Sequence, residues 1–398
     1  MKICILMDDY LPTSVKVGAK MMHELAVELK SKGHEVCVVT PASNLSTKVK
    51  IDVLDGIKIY RFNSGEIKNV GKIKRAINES LLPYRAWKSC KQIFREEKQD
   101  LIIYYSPTIF WGPLVKRLKL LWNAKSYLIL RDIFPQWVID NGMISKNSLI
   151  AKYFTYFEKI NYKVADVIGV MSERNLEWFK RTYNYSSKKV EVLYNWIKLT
   201  PNKTPFNKYR KELNLEDKVV YFYGGNLGKA QDMKNIIRLA KNIRNIPQIH
   251  FLIVGEGDEE EIIKSKIKEY NLNNVTILPP VSQKIYFQML SEFDVGLISL
   301  NKYHTTHNFP GKLLGYMSYK KPILGSINFN NDLKEIIEEY NAGLISFNGD
   351  DEAFYKNALK LVDKQIRQEF GKNAYNLVKE RFSIENAVEK IINSFNNK

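Results

Sequence analysis

Two stretches of this 398-residue chain carry the residue types that could hold a diphosphate without a metal, each a helix amino end backed by a lysine. In NFPGKLLGYMSYKKPIL, residues 308–324, Pro310 suits a first helical turn because its missing N–H would have no partner there, and Gly311 leaves the next amides uncovered. Lys312 then stands where an anion would meet both the helix-end field and an ammonium. In YGGNLGKAQDM, residues 223–233, Gly224, Gly225 and Gly228 let the backbone approach a ligand at a strand-to-helix turn, with Asn226, Lys229 and Gln231 as polar reach. The turn VGEGDEEEI, residues 254–262, follows a third strand; its carboxylates from Asp258 to Glu261 would repel phosphate, which leaves it the base and ribose end of a nucleotide, or structure alone. Each feature has a plainer structural alternative: glycine that only supplies positive φ, proline that only starts a helix, a solvated Lys312.

The elements around these turns alternate. Short β-branched runs (KICILMD, EVCVVT, IKIYRF, LIIYY, SYLIL, DVIGVM, KVEVLY) are separated by helical patterns such as residues 17–32, where Met21, Met22, Leu25, Ala26 and Leu29 mark one buried face and Gly33 a stop. After a proline-bearing break at 195–208 the pattern resumes with VVYFYG, IHFLIVG, NVTIL, DVGLISL, PILGS and GLISF. Continuous apolar strands with helices between them predict an α/β chain of two Rossmann-like parallel-sheet domains facing a central cleft, with ligands beyond the carboxyl ends of the strands. The expected divisions are 1–195, 206–370, and a C-terminal helical segment, 371–398, that returns toward the first domain.

Composition sets the partners. Hydrophobic content of 45% and charged content of 26% describe a globular protein, and no apolar run is long enough for a membrane span. MKICILMDDY reads as a strand rather than a signal peptide, so a cytoplasmic location is expected. Cys4, Cys37 and Cys90 are odd in number and far apart, which disfavours disulfides and zinc; His304 and His307 lack a third ligand. The net charge of +18 is concentrated early, with 32 basic against 18 acidic side chains through residue 190. Residues 66–125 hold 13 basic and 5 acidic side chains among Leu81, Leu82, Tyr84, Trp87, Phe110, Trp111, Leu114 and Trp122. That mixture predicts a shelf on an anionic membrane surface, with Trp87, Trp111 and Trp122 in the interface and Lys116, Arg117 and Lys119 on phosphates; no nucleic-acid module is present. A solvated basic face is the alternative.

Taken together, the motifs resemble the GT-B glycosyltransferases of family four across nearly the whole chain. DDYLPTSVKVGAKMMHELAVELKSKGHEVCVVT is similar to their first strand, loop and helix; RDIFPQWVIDNGMI to the R-D-L-W-P-E-S segment of cell-surface polysaccharide transferases; GGNLGKAQDM to G-N-L-G-x-A-Q-G-L; and PGKLLGYMSYKKPIL to P-S/G-K-x-L-x-Y-x-x-x-x-x-P-V-L. The WbuB-like subgroup, which moves N-acetyl-L-fucosamine or a similar 6-deoxy sugar in O-antigen and capsule assembly, is the nearest in pattern. The resemblance implies retaining transfer without a bound metal or other cofactor, from a UDP-sugar in the second domain to an undecaprenyl-diphosphate-linked saccharide in the first. The enzyme would sit peripherally on the inner face of the plasma membrane.

By the same resemblance Asn226, Lys229 and Gln231 fall in the diphosphate turn and Lys312 beside the donor. Gly18 falls in the first-strand glycine motif, although Ser14 to Lys16 replace its second glycine. Many members carry two glutamates eight positions apart at the last motif; His307 and Gly315 occupy those places, so the ribose falls to Glu256 or to backbone, with room beside Gly315. Arg131 faces the acceptor, and Asp132 is the candidate for orienting or deprotonating its hydroxyl, although capping of the next helix fits equally; Asp8 and Asp9 are weaker candidates. Rival classes are a GT-B type UDP-sugar epimerase, which needs no basic shelf, and a non-catalytic membrane-associated nucleotide-binding scaffold, which the missing glutamates favour. A dinucleotide oxidoreductase is disfavoured because Asp8, Asp9 and Tyr10 stand where G-x-G-x-x-G would be.

Overall fold

The computed structural model describes residues 1–14, 16–67, 70–140, 143–183, 189–199, 207–303, 310–329 and 331–396, with the side chains of Lys72, Ile73, Trp137 and Asp140 set aside. The chain divides into two compact units, Met1–Trp196 with Ile384–Lys398, and Ile197–Ser383.

The first unit is built on eight strands: β1 (Lys2–Leu6), β2 (Glu35–Ala42), β3 (Val49–Leu54), β4 (Ile57–Asn63), β5 (Leu101–Ser106), β6 (Lys125–Leu130), β7 (Val167–Val170) and β8 (Lys189–Val192). Their order is β3-β4-β2-β1-β5-β6-β7-β8, parallel throughout except for the β3–β4 pair. Apolar side chains fill both faces of the sheet because helices cover both. Under one face lies the helix Val17–Ser31, which buries Ala19, Met22, Leu25, Ala26 and Leu29 and stops where Gly33 turns to φ +84°. The helix Ile384–Asn396 joins the same core through Ile384, Val388 and Ile391. Residues 371–383 belong instead to the second unit, where Gly371 packs against the Lys320 carbonyl.

Strand β3 has no counterpart among the sequence-predicted elements. Its signal was present as Asp55-Gly56, which take φ +50° and +72° and turn the chain into an antiparallel hairpin, the residue pair such turns demand. The 195–208 break lies partly outside the described residues.

The second unit carries β9 (Val219–Gly224), β10 (Ile249–Val254), β11 (Val275–Leu278), β12 (Val295–Ser299), β13 (Ile323–Ile327) and β14 (Gly343–Phe347), all parallel, in the order β11-β10-β9-β12-β13-β14. Strand order reverses between β9 and β12, and between β1 and β5 in the first unit, so each sheet has its crevice beyond the carboxyl ends of those strands.

Of the shelf expected at residues 66–125, Leu81 and Tyr84 are exposed, while the indoles of Trp111 and Trp122 are core. Trp111 is fully buried, Leu114 and Trp122 nearly so, and the Trp122 indole N–H donates to the Phe94 carbonyl at 2.5 Å. The helix Gly112–Trp122 places Leu114, Val115, Leu118 and Trp122 on one stripe, and that stripe covers the sheet rather than facing outward. Trp87 is half-buried beneath the Arg117 guanidinium, 4.1 Å from its ring, and Lys119 is committed to Asp166 at 2.7 Å and to the Val164 carbonyl. Lys116 and Arg117 are exposed. Trp111→Ala should therefore lower the urea midpoint by the equivalent of about 3–5 kcal/mol, the usual cost of emptying a large aromatic site; an unchanged midpoint would place the indole at the surface.

Candidate active site

The turn after β9 is held by its neighbour, backbone to backbone. A Cβ on Gly255 would lie 1.9 Å from the Gly225 carbonyl oxygen, and one on Gly257 would lie 2.5 Å from the Leu227 carbonyl. Glycine at 255 and 257 thus lets the turns after β9 and β10 nest, laced by Gly225 N–H to Val254, Leu227 N–H to the Glu256 carbonyl and Glu259 N–H to the Leu227 carbonyl. Those bonds use amides that the sequence offered to a phosphate. Gly224 is likewise covered: its N–H donates to the Tyr316 hydroxyl at 3.2 Å, and Tyr286 fills the space beside it. Gly224 and Gly225 therefore shape the turn rather than bind through their amides.

A 3-10 turn, Lys229–Gln231, separates this loop from the helix Met233–Ile243. That helix start is already occupied, because the buried Glu259 carboxylate accepts from the Met233 N–H at 3.0 Å. The expectation that two helix ends await phosphate is corrected here: one of them holds a carboxylate of the protein's own. Asn226 and Gln231 are bonded to each other at 3.0 Å on the surface of the turn, Lys229 is exposed, and Glu256 has an exposed side chain.

The second helix start is different. The helix Gly311–Ser318 follows an extended Pro310 and has no side-chain cap, and Gly311 is open to solvent. Lys312 reaches from it across to the glycine turn: its Nζ sits 3.5 Å from the centre of the Tyr223 ring, and a Cβ on Gly225 would lie 3.3 Å from that Nζ. Desolvation brings the Lys312 amine down to about 7. An ammonium so placed, with ring face and backbone for company and no carboxylate bonded to it among the described residues, is poised to gain from a bound anion. His304 and His307 lie outside the described residues.

Gly315 has room for a side chain. It is buried facing the helix Gln283–Glu292, and a Cβ there would meet Phe287 at 3.6 Å and Leu290 at 3.8 Å, ordinary contacts. Close helix packing therefore does not require glycine there.

In the first unit, a cavity of about 730 Å³ opens beyond β1, β2 and β4, with Asp8, Asp9, Asp52, Arg61 and Glu66 on its walls. Burial raises the Asp8 carboxyl to about 6 against the opposing pull of Lys16. Asp9 accepts from Ser14 Oγ at 2.7 Å, and Arg61 bonds Asp52 at 2.7 Å and the Leu11 carbonyl. Asp132 is exposed at the end of β6, and desolvation outweighs Arg131 in raising its carboxyl. Arg131 is a tether rather than an acceptor contact: its guanidinium donates to the Leu130, Gly169 and Tyr194 carbonyls at 3.2, 3.5 and 3.2 Å, and burial lowers it to about 10. Gly18 sits in the first turn of its helix against the Tyr105 hydroxyl, 2.9 Å from where its Cβ would be.

Residues 18–200 match the Glycosyltransferase Family 4 pattern and residues 205–377 match Glycosyl transferases group 1. The chain is a GT-B glycosyltransferase. Sucrose-phosphate synthase of Thermosynechococcus elongatus shares the fold at a TM-score of 0.71 with 18% identity, covering 99% of this chain and 98% of that one. HepE of Anabaena, solved with UDP and glucose, superposes at 0.69 with 15% identity over the whole of both chains. WcaI of Escherichia coli K12, named for colanic acid biosynthesis, is 24% identical over 343 residues, 80% of this chain and 81% of that protein. A Campylobacter jejuni N-acetylgalactosaminyltransferase, whose name gives a diphospho-undecaprenol acceptor, is 30% identical over 132 residues, 33% of this chain and 34% of its own.

Two substitutions test this candidate site. The Lys312 amine titrates near 7 when folded and 10.5 as its ordinary value, so between those pH values the unfolded chain binds the extra proton and stability rises with pH. Lys312→Met removes that penalty: stability at pH 7 should rise by on the order of 1–3 kcal/mol, read as a higher melting temperature, and the gain should shrink toward pH 10. A melting temperature that falls equally at both pH values would show that Lys312 is not desolvated. Gly315→Ala should stabilise by about 0.5–1 kcal/mol and leave UDP affinity unchanged; weaker UDP binding in calorimetry would restore the ribose role.

Proposed function

We propose that this glycosyltransferase moves an N-acetylated sugar, of the 6-deoxy kind, from a UDP-sugar to an undecaprenyl-diphosphate-linked saccharide in O-antigen or capsule assembly, with retention and without a bound metal. One observation carries the donor side: Lys312, desolvated over Tyr223, faces the glycine turn from an uncapped helix start. As the glycosidic bond breaks, charge grows on the departing diphosphate. An ammonium and free helical amides stabilise that charge more than they stabilise the ground state. HepE, a fold neighbour, was solved with UDP and with UDP-glucose, which supports a uridine-nucleotide donor.

The acceptor side rests on the 730 Å³ cavity of the first unit, whose carboxylates and Arg61 suit the hydroxyls of a saccharide. Asp132 remains the candidate for orienting the acceptor hydroxyl, and Asp8, held near 6, is a second group able to take its proton close to neutral pH. The lipid diphosphate is supported by the name of the Campylobacter relative, and a polysaccharide product by those of WcaI and of WaaG, a glycosyltransferase of lipopolysaccharide biosynthesis with a TM-score of 0.65. The enzyme would work from the cytoplasmic face of an anionic membrane.

Incubation with a panel of UDP-N-acetyl sugars and an undecaprenyl-diphosphate-linked saccharide should give free UDP and a lipid heavier by one sugar. Epimerised donor, or UDP binding without turnover, would refute the transfer. Activity should survive a chelator; loss restored only by magnesium would remove the metal-free part. Lys312→Ala should lower kcat by roughly 10²–10³, as losses of charge-stabilising donors do. In the wild type kcat/KM should fall above pH 7 as the free amine loses its proton, and Lys312→Arg should move that limb to higher pH.

A further inference from the structure

The helix Leu149–Val164 turns one side of itself into solvent with large apolar residues on it. Leu149 is 83% exposed, Ile150 58%, Tyr153 44% and Tyr156 62%, and Met143 just before the helix is 67% exposed. At 100° per residue these four helical positions fall within an arc of about 120°. The opposite side holds Ala151, Glu158, Asn161 and Tyr162 in the core. Beneath the exposed stripe Phe154 and Phe157 pack edge-to-face on Phe110 at 6.4 and 5.0 Å, and Phe154 on Phe134 at 4.9 Å. The stripe is thus mounted on a rigid aromatic cluster, not on a mobile tail.

Charge decides what would cover it. Lys152, Lys159 and Lys163 are exposed and line one border of the stripe, and Lys146 is exposed ahead of it. The helix has a single acidic residue, Glu158, which is buried and accepts from the Tyr162 and Tyr183 hydroxyls. A second protein surface would want some negative charge in return or a closed apolar rim; a stripe of leucine, isoleucine and tyrosine lined along one border by ammonium groups matches acyl chain beside phosphate.

We propose that the Met143 to Val164 segment is the face by which this glycosyltransferase docks on an anionic lipid surface, Leu149, Ile150, Tyr153 and Tyr156 entering the headgroup boundary and Lys146, Lys152, Lys159 and Lys163 meeting lipid phosphates. It takes the place of the 66–125 shelf, whose Trp111 and Trp122 are core and whose Trp87 is half-buried under Arg117. The assignment deepens the lipid-linked acceptor reading yet stands on exposure and charge, so it is tested without any sugar.

Full-length protein should co-sediment with vesicles of phosphatidylglycerol and phosphatidylethanolamine, and weakly with phosphatidylcholine alone. Leu149→Glu with Ile150→Glu should cut anionic-vesicle binding at least about tenfold, two carboxylates replacing buried apolar groups. Replacing Lys152, Lys159 and Lys163 by Ala should cut it by roughly tenfold to a hundredfold at low salt and less at high salt, since each basic group near such a surface adds about a fivefold attraction. Leu120→Glu, on the exposed end of the neighbouring Gly112–Trp122 helix, is the comparison and should bind nearly as wild type. The replaced side chains are exposed, so thermal melts of all variants should match the wild type. Wild-type indifference to anionic vesicles, full binding by the Leu149/Ile150 variant, or greater loss with Leu120→Glu would each overturn the assignment. So would a wild-type dimer that the Leu149/Ile150 variant makes monomeric without altering vesicle binding, because a second copy would then own this face. If vesicle binding behaves as stated while no UDP-sugar is turned over, the docking face stands and the transfer reaction does not.

Discussion

Backbone pressed on backbone sets the geometry on which the second unit's candidate site depends. Where Gly255 meets the Gly225 carbonyl there is space for no side chain, and the resulting nest fixes the turn after β9 against the turn after β10. Tyr316 adds a second restraint by accepting the Gly224 N–H from the other side. Only because that turn is immobile does the Lys312 ammonium meet a defined surface, the Tyr223 ring and the Gly225 backbone, rather than a fluctuating loop. Its lowered basicity is the electrostatic mark of the same crowding. A group destabilised in the empty protein and relieved by an anion is a common form of preorganisation, in which stability is lost so that binding and rate are gained.

Much of this was legible in the chain. Period and punctuation located β1, β2, β4 and the strands of the second unit, because a strand buried on both faces writes itself as an unbroken apolar run. Lys312 could be singled out because proline, glycine and lysine in one helical turn combine three local rules. Less legible were the partners that tertiary structure supplies from afar. Glu259 fills the start of a helix that begins 26 residues earlier, and no pattern in either segment announces it. Arg131 looked like a free cation at a strand end, yet three carbonyls at the ends of β6, β7 and beyond β8 converge on it. Strand β3 was readable from Asp55-Gly56 and from the alternation of Val49, Lys50, Ile51, Asp52 and Val53, but it turns Ile51 and Val53 to solvent, the reverse of the apolar-inward rule that marks the other strands.

The basic first half shows how composition can point to the right kind of partner and the wrong residues. Aromatic and basic side chains intermingle in sequence from Trp87 to Trp122, but helix periodicity sorts them in space, indoles inward and lysines outward. From Leu149 to Val164 the sorting is reversed in part: apolar side chains remain outside after the core is full. Surplus, rather than abundance, is what separates a surface meant for contact from one that merely closes the fold.

The first unit is also discontinuous in the chain. Its helix Ile384–Asn396 seals the Val17–Ser31 helix, yet Ile197–Ser383, 187 residues, are synthesised in between. At a ribosomal pace of about 5–20 residues per second, the groove awaiting that helix stays open for roughly 10–40 s on every nascent chain. Throughout that interval the core that holds Leu25, Leu29 and Trp196 lacks Ile384, Val388 and Ile391, so the first unit closes its core only when the last segment of the chain arrives.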